Sequence, residues 1–309
     1  MRVFVAGATG VLGQPSVKGL VAAGHDVRGA ARSDEKAALL RSLGATPVTT
    51  DLFDVESVRE AVAGSEAVVH LATKIPSLTR MRWKGAWKEN DRLRREATRN
   101  LVDAALATNA QTFVMESITF VYADGGETWL DENAAINLVW APLESAMDAE
   151  KETKRFGEGG GRAVILRFGL FYAPYAASTI DTVKLARRKM FGVIGKGENY
   201  FSSIHVDDAA AAVVASLNAP SGTYNVAEDE PARQEDYAQA MFDAFHLGKP
   251  RHVPKWLGKL VLGPPSKYIL QSQRISNKRF KEATGWSPQH RDVREGMQSV
   301  AAAMPEKKA

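Results

Sequence analysis

The chain has 309 residues, 45% hydrophobic and 25% charged, with 40 lysines and arginines against 36 acidic residues for a formal charge of +4, a composition ordinary for a soluble globular protein. It contains no cysteine, which excludes disulfides, thiolate catalysis and cysteine-held metals, and so mild a positive balance gives no argument for a nucleic-acid partner. No uncharged apolar run approaches the roughly 20 residues of a membrane span, and a first strand beginning at residue 2 leaves no room for a secretory leader, so a cytoplasmic protein without a membrane partner is expected.

The opening stretch MRVFVAGATGVLGQ sets the frame. An apolar strand ends at Gly7, and Gly10 and Gly13 follow at three-residue intervals before helical periodicity begins. In such a turn one glycine takes an unusual backbone angle, a second lets the main chain approach a pyrophosphate, and a third lets the helix sit close on the strand. The helix then turns free N–H groups and its positive dipole end toward phosphate. Gly7, Thr9, Gly10, Val11, Leu12 and Gly13 are therefore expected to cradle a dinucleotide, although G-x-x-G-x-x-G departs from the widely quoted G-x-G-x-x-G spacing.

Periodicity predicts a helix over 11–23 closed by Gly24, then a strand over 27–31. An acid after this second strand would accept from a ribose 2′-hydroxyl, whereas arginine suits a 2′-phosphate. The chain has Ala31 and then Arg32, with Arg28 earlier in the strand. NADP(H) is therefore expected over NAD(H), with Arg32 forking onto the phosphate. Ser33 and Asp54 read as caps of the next two helices, with strands over 46–50 and 67–71. Regular alternation of strand and helix points to an α/β fold, a Rossmann-type doubly wound parallel sheet. Ligands of such sheets sit at the carboxyl ends of the strands, which adds Asp51, Leu52, Leu71, Ala72 and Thr73 to the expected cofactor contacts.

A long helix is expected over 83–108, then a fifth strand over 112–116 that delivers Glu116, Ser117, Thr119 and Tyr122 to the same rim. A helix over 143–158 and a sixth strand over 162–168 follow. The basic residues from Lys74 to Arg99 fall in the long helix and the loop before it, where a solvated face is the plain reading. Beyond Pro174 the rhythm loosens into a smaller C-terminal lobe. Residues 1–174, with parts of 200–226, are thus expected to bind the dinucleotide and 175–309 the substrate. Helices are expected near 179–191, 207–217, 234–245 and 292–303, with 248–265 irregular and Pro305 to Ala309 frayed.

Several fragments now stand in order: GATGVLG at 7–13, DL at 51–52, HLAT at 70–73, ESITFVY at 116–122, LRFGLFYAP at 166–174, SIHVDDAA at 203–210, GTYNVAED at 222–229 and TGWSP at 284–288. Together they resemble the extended short-chain dehydrogenase/reductase family of nucleotide-sugar epimerases, dehydratases and related reductases. The resemblance implies a Rossmann domain for the dinucleotide and a small lobe closing over a small-molecule substrate. It places an adenine contact on Asp51 and the nicotinamide-side strand end on Ala72 and Thr73, and it implies a homodimer through the helices of 83–108 and 143–158. It also implies a Tyr-x-x-x-Lys pair on the helix after the fifth strand, the lysine lowering the tyrosine's pKa for proton transfer. None of the seven tyrosines has lysine four residues later, and the pair's positions fall on Pro142 and Ala146.

Two readings stay open. In the first the protein is an NADP(H)-dependent oxidoreductase for a small organic carbonyl, hydroxyl or sugar-like substrate, with a substitute acid drawn from Ser117, Thr119, Tyr122, Lys74 or Glu116. Absence of general-acid help lowers a rate by about 10²–10⁴-fold without forbidding hydride transfer. In the second it is a non-catalytic NADP(H)-binding redox sensor or interaction protein. Lys74, Trp87, Arg94, Glu116 and Tyr175 are the candidate substrate contacts, with Trp83, Asn90, Trp129 and Trp140 nearby. Aromatic walls with one or two cations suit a planar or acidic organic molecule, while plain packing and surface exposure account for the same residues. His205 reads as part of a helix start rather than a catalyst, and no carboxylate spacing points to a metal.

Overall fold

The computed structural model describes residues 1–304, so the tail expected to fray lies outside the described residues. Seven strands, β1 (Arg2–Ala6), β2 (Asp26–Ala31), β3 (Thr46–Thr49), β4 (Ala67–His70), β5 (Thr112–Ile118), β6 (Arg162–Phe168) and β7 (Gly222–Val226), make one sheet in the order β7-β6-β5-β4-β1-β2-β3. Every neighbouring pair is parallel, which requires a crossover after each strand. The first crossovers are α1 (Gly13–Ala22), α2 (Asp34–Ser42) and α3 (Val55–Val62). The order reverses between β1 and β4, and that is where a doubly wound sheet opens its ligand crevice.

Helices on both faces explain why β1, β4, β5 and β6 are buried along nearly their whole length rather than alternating. Val3, Val5, Val69 and Val114 pack with Val17 and Leu20 of α1 and with α8 (Val206–Ser216) in one core. Phe4, Val68, Phe113 and Met115 pack on the other face against α3, α5 (Thr98–Ala107) and α6 (Glu144–Glu158). The remaining helices, α7 (Ala177–Arg187), α9 (Gln234–Ala244), α10 (Lys255–Leu262), α11 (Ser266–Ile269), α12 (Lys278–Thr284) and α13 (Val293–Ala303), belong mostly to the C-terminal part. Among the described residues no helix is long and apolar enough to cross a membrane.

Two expectations change. The helix over 83–108 is four pieces: a 3₁₀ turn Lys84–Trp87, α4 (Lys88–Arg92), a π turn Leu93–Ala97, and α5. Each piece is helical in sequence pattern, so periodicity cannot show the widened turn, a feature that recurs at functional sites. The stretch 248–265 is not irregular: Arg251–Val253 pairs with Gly192–Ile194, and α10 follows. At Gly258, inside α10, a β-carbon would stand 2.6 Å from the Ile194 side chain.

Candidate cofactor and substrate site

The glycine turn is fixed by contact as much as by angle. Gly7 has φ +83°, and a β-carbon on it would lie 2.5 Å from the main chain of both Leu71 and Ala72, where the chain leaves β4. A β-carbon on Gly13 would overlap the Gly7 carbonyl oxygen, while one on Gly10 would meet only that oxygen, at 3.2 Å. Helix α1 has no side-chain cap and no acid in its first turn, whereas Ser33, Asp54 and Asp292 cap α2, α3 and α13. An uncapped positive helix end behind a glycine turn fits a pyrophosphate. Thr9, Gly10 and Val11 form the open rim; Leu12 is turned into the core, so only its main chain can serve a ligand. Leu52 and Leu71 are likewise core residues, while Ala72 and Thr73 are half-buried.

At the end of β2 the two arginines separate. Arg28 donates to the Ala63 carbonyl at 2.9 Å, closing the end of α3. Arg32 is exposed and takes part in no side-chain hydrogen bond or ion pair among the described residues. Its guanidinium is free for an anion. Asp51 is exposed at the end of β3, with one carboxylate oxygen accepting the Phe53 N–H. Both stand at strand ends, where a doubly wound sheet binds its ligand.

At the end of β5 the structure removes two of the candidate acids. Ser117 donates to Glu150 at 2.6 Å, and Arg167 holds the same carboxylate through Nε at 2.8 Å and Nη2 at 2.6 Å. The third arm of Arg167 reaches the Tyr122 hydroxyl at 2.8 Å, which itself donates to Asn225 at 2.8 Å. Tyr122 is fully buried, and burial pushes its pKa up to about 12, so this phenol is a strut rather than a proton donor. Sequence reasoning missed Arg167 and Glu150, although an arginine inside the apolar run VILRFGLF signals a buried partner.

Glu116 differs from these. It is nearly buried beside the Arg94 charge and belongs to no ion pair among the described residues. Burial outweighs the arginine and pushes its pKa up to about 7. Thr119 is buried with its hydroxyl unpartnered. Asn90 accepts the Lys74 N–H at 3.1 Å, tying α4 to the chain leaving β4, while the Lys74 side chain is exposed. His70, passed over as a site residue in the sequence, accepts the Ala72 N–H at 3.4 Å. Burial lowers its pKa to about 4, so it is a neutral brace.

The aromatic wall is real but closed. Trp87 gives its N–H to the Met81 carbonyl at 2.8 Å and meets Trp140 edge-on at 4.6 Å, and Trp140 stacks on Tyr268 at 5.5 Å. Trp83 stays exposed. Tyr175 spends its hydroxyl on Asp207 at 2.6 Å. His205 caps α8, its Nδ1 accepting the Asp207 N–H at 3.2 Å. The fold also brings His290 and Asp208 to it, their nearest atoms 2.7 Å apart, a triple of metal-ligand type that spacing could not reveal. Both Asp208 oxygens already accept backbone N–H groups, from Gln289 and His290, and the bond at Nδ1 leaves the His205 proton on Nε2, so the triple reads as a clamp between α8 and the 289–290 turn.

Sheet order, glycine cradle and strand-end rim define a dinucleotide-binding protein of the extended short-chain dehydrogenase/reductase type. The chain belongs to the NAD dependent epimerase/dehydratase family, whose sequence model matches residues 3–227. It is 34% identical over 313 aligned residues to a Streptomyces protein named 3-diazoavenalumate denitrifying reductase, covering 96% of this chain and 99% of that one. It is 27% identical to the Arabidopsis thaliana chloroplastic homolog of epimerase family protein SDR39U1, over 97% of this chain and 86% of the relative. Among solved structures, human SDR39U1 with NADPH superposes with a TM-score of 0.76 at 21% identity, covering 98% and 99% of the two chains. The UDP-glucose 4-epimerase of Thermus thermophilus with NAD superposes with a TM-score of 0.78, also at 21% identity and with 98% and 99% covered. At that identity the structural likeness speaks for the fold.

Proposed function

We propose that the protein is a cytoplasmic NADP(H)-dependent reductase for a small organic substrate, in which Glu116 stands in for the missing tyrosine as proton donor. The observation that carries the cofactor choice is the unpaired Arg32 at the end of β2, where no acid competes for a ribose hydroxyl. When bound, NADPH supplies a hydride. Glu116 would supply the proton: burial holds it near neutrality, where an acid both keeps and gives up its proton readily. Full-length likeness to a protein named as a reductase supports net reduction over epimerisation, which would need one donor to take and return a proton at the same oxygen. A homodimer through α4–α5 and α6 belongs to the same proposal. Within one chain these helices are already tied to each other by exposed ion pairs, Arg95–Asp148 at 2.6 Å and Arg155–Asp103 at 2.6 Å.

Following NADPH absorbance over a panel of carbonyl compounds, aryl diazonium salts and sugar nucleotides tests the reading. Tight binding with no oxidation by any of them would leave the redox sensor. Arg32→Ala should weaken NADPH by about tenfold or more and hardly change NADH, as expected for a lost charge-assisted fork on phosphate. Equal weakening of both would end the NADP(H) assignment.

The pH dependence follows from Glu116. The acid form is present below a pKa of about 7, so turnover should fall as pH rises through that value. Glu116→Gln should flatten this limb and lower kcat by about 10²–10⁴-fold. Stability moves in the same sense: a carboxylate whose folded pKa lies above the ordinary 4.5 opposes folding once ionised, so the wild type should lose stability from about pH 4.5 to pH 7 where the glutamine variant does not. A pH profile unchanged by the substitution would remove Glu116 as the donor.

A further inference from the structure

Trp87, Asn90 and Arg94 follow one another at three and four residues, so they share a face of the α4 and π segment. That face turns inward: Asn90 and Arg94 are 0% and 3% exposed. Asn90 Nδ2 and both Nε and Nη2 of Arg94 have no hydrogen-bond partner among the described residues. Nε and Nη2 are the adjacent edge of the guanidinium, whose two N–H bonds match the two oxygens of a carboxylate or phosphate. Burying such donors unpaired is expensive, and native interiors seldom do it without a use. Glu116, Asp91 and Glu150 all act on Arg94 electrostatically, yet none forms an ion pair with it among the described residues.

Position favours a ligand. The Lys74 N–H on Asn90 Oδ1 sets this face against the chain leaving β4. The aromatic wall of Trp87, Trp140 and Tyr268, with Phe120 at 4.9 Å from Tyr268, begins three residues before Asn90. We infer that Arg94 and Asn90 form an oxyanion-receiving subsite that takes the carboxylate of an aryl acid substrate. The inference rests on the NADP(H) reading above.

The test uses the full chain saturated with NADPH and two probes of one shape, cinnamate and cinnamamide, followed by tryptophan fluorescence. Arg94→Gln removes the charge and Arg94→Lys keeps it while losing the fork, and circular dichroism confirms that each variant folds. Should the glutamine variant not fold, the lysine variant decides alone. With a carboxylate in the subsite, the wild type should prefer cinnamate by about tenfold or more, and both variants should lose that preference while binding NADPH as before. Variants that instead weaken NADPH and NADH alike by about tenfold, with no cinnamate preference in the wild type, would overturn it. Folded variants that leave both cofactor and probe binding unchanged overturn the inference and mark Arg94 as a counter-charge to Glu116. Should the wild type bind no NADPH at all, the functional reading fails by itself, and the cinnamate preference of the unloaded protein then decides the subsite separately.

Discussion

Replacing Arg167 by methionine should destabilise the protein by about 3–5 kcal/mol, the range seen when one partner of a buried ion pair is removed. The Arg167 and Glu150 side chains are 5% and 0% exposed, so solvent cannot take over what the arginine provides. Glu150 Oε2 would lose its partner, Oε1 would lose one of two, and the Tyr122 hydroxyl, over whose ring the guanidinium also lies at 4.9 Å, would lose its donor. Only Ser117 would remain on the carboxylate. Urea unfolding at neutral pH, compared through the midpoint and slope, reads the change. A double replacement, Arg167→Met with Glu150→Leu, should be milder than the single arginine variant, because an apolar pair leaves no stranded charge. A single-variant loss below about 1 kcal/mol would show that water reaches this carboxylate and that the network is not closed.

That network also shows why some of the site was legible in the sequence and some was not. Local chemistry was readable. The glycine spacing placed the turn between β1 and α1, Ser33 and Asp54 do cap their helices, and Arg32 stands unpaired at the strand end among the described residues. Long-range pairing was not. Tyr122 and Ser117 were candidates because β5 carries them to the rim, but what occupies their hydroxyls comes from 45 and 33 residues away, and no local pattern records it. Leu12, Leu52 and Leu71 illustrate a smaller limit: position along a loop does not say whether a side chain faces the ligand or the core. The π turn at Leu93–Ala97 belongs to the same class, since an extra residue in a helix is invisible in composition.

Gly7→Ala should abolish measurable NADPH binding, weakening it by at least about a hundredfold, because both its backbone angle and its surroundings exclude a side chain. At φ +83° an alanine is strained wherever it points, and here its methyl would press on the Leu71 and Ala72 main chain at 2.5 Å. Backbone cannot step aside as a flexible side chain can. The strain would separate the cradle from the end of β4, which are the two walls between which the sheet order reverses. Gly13→Ala should behave similarly through its overlap with the Gly7 carbonyl. Gly10→Ala, which meets only that carbonyl at 3.2 Å, should bind the cofactor within about tenfold of the wild type. Fluorescence titration with NADPH, alongside urea unfolding to separate lost binding from lost fold, ranks the three. An order in which Gly10→Ala is the most damaging would mean that the cofactor does not enter over this turn. Glu116→Gln completes the comparison, for it should bind NADPH normally and turn over poorly. The glycine cradle would then govern occupancy and the end of β5 chemistry, so a chain can keep the first while the usual tyrosine and lysine positions hold proline and alanine.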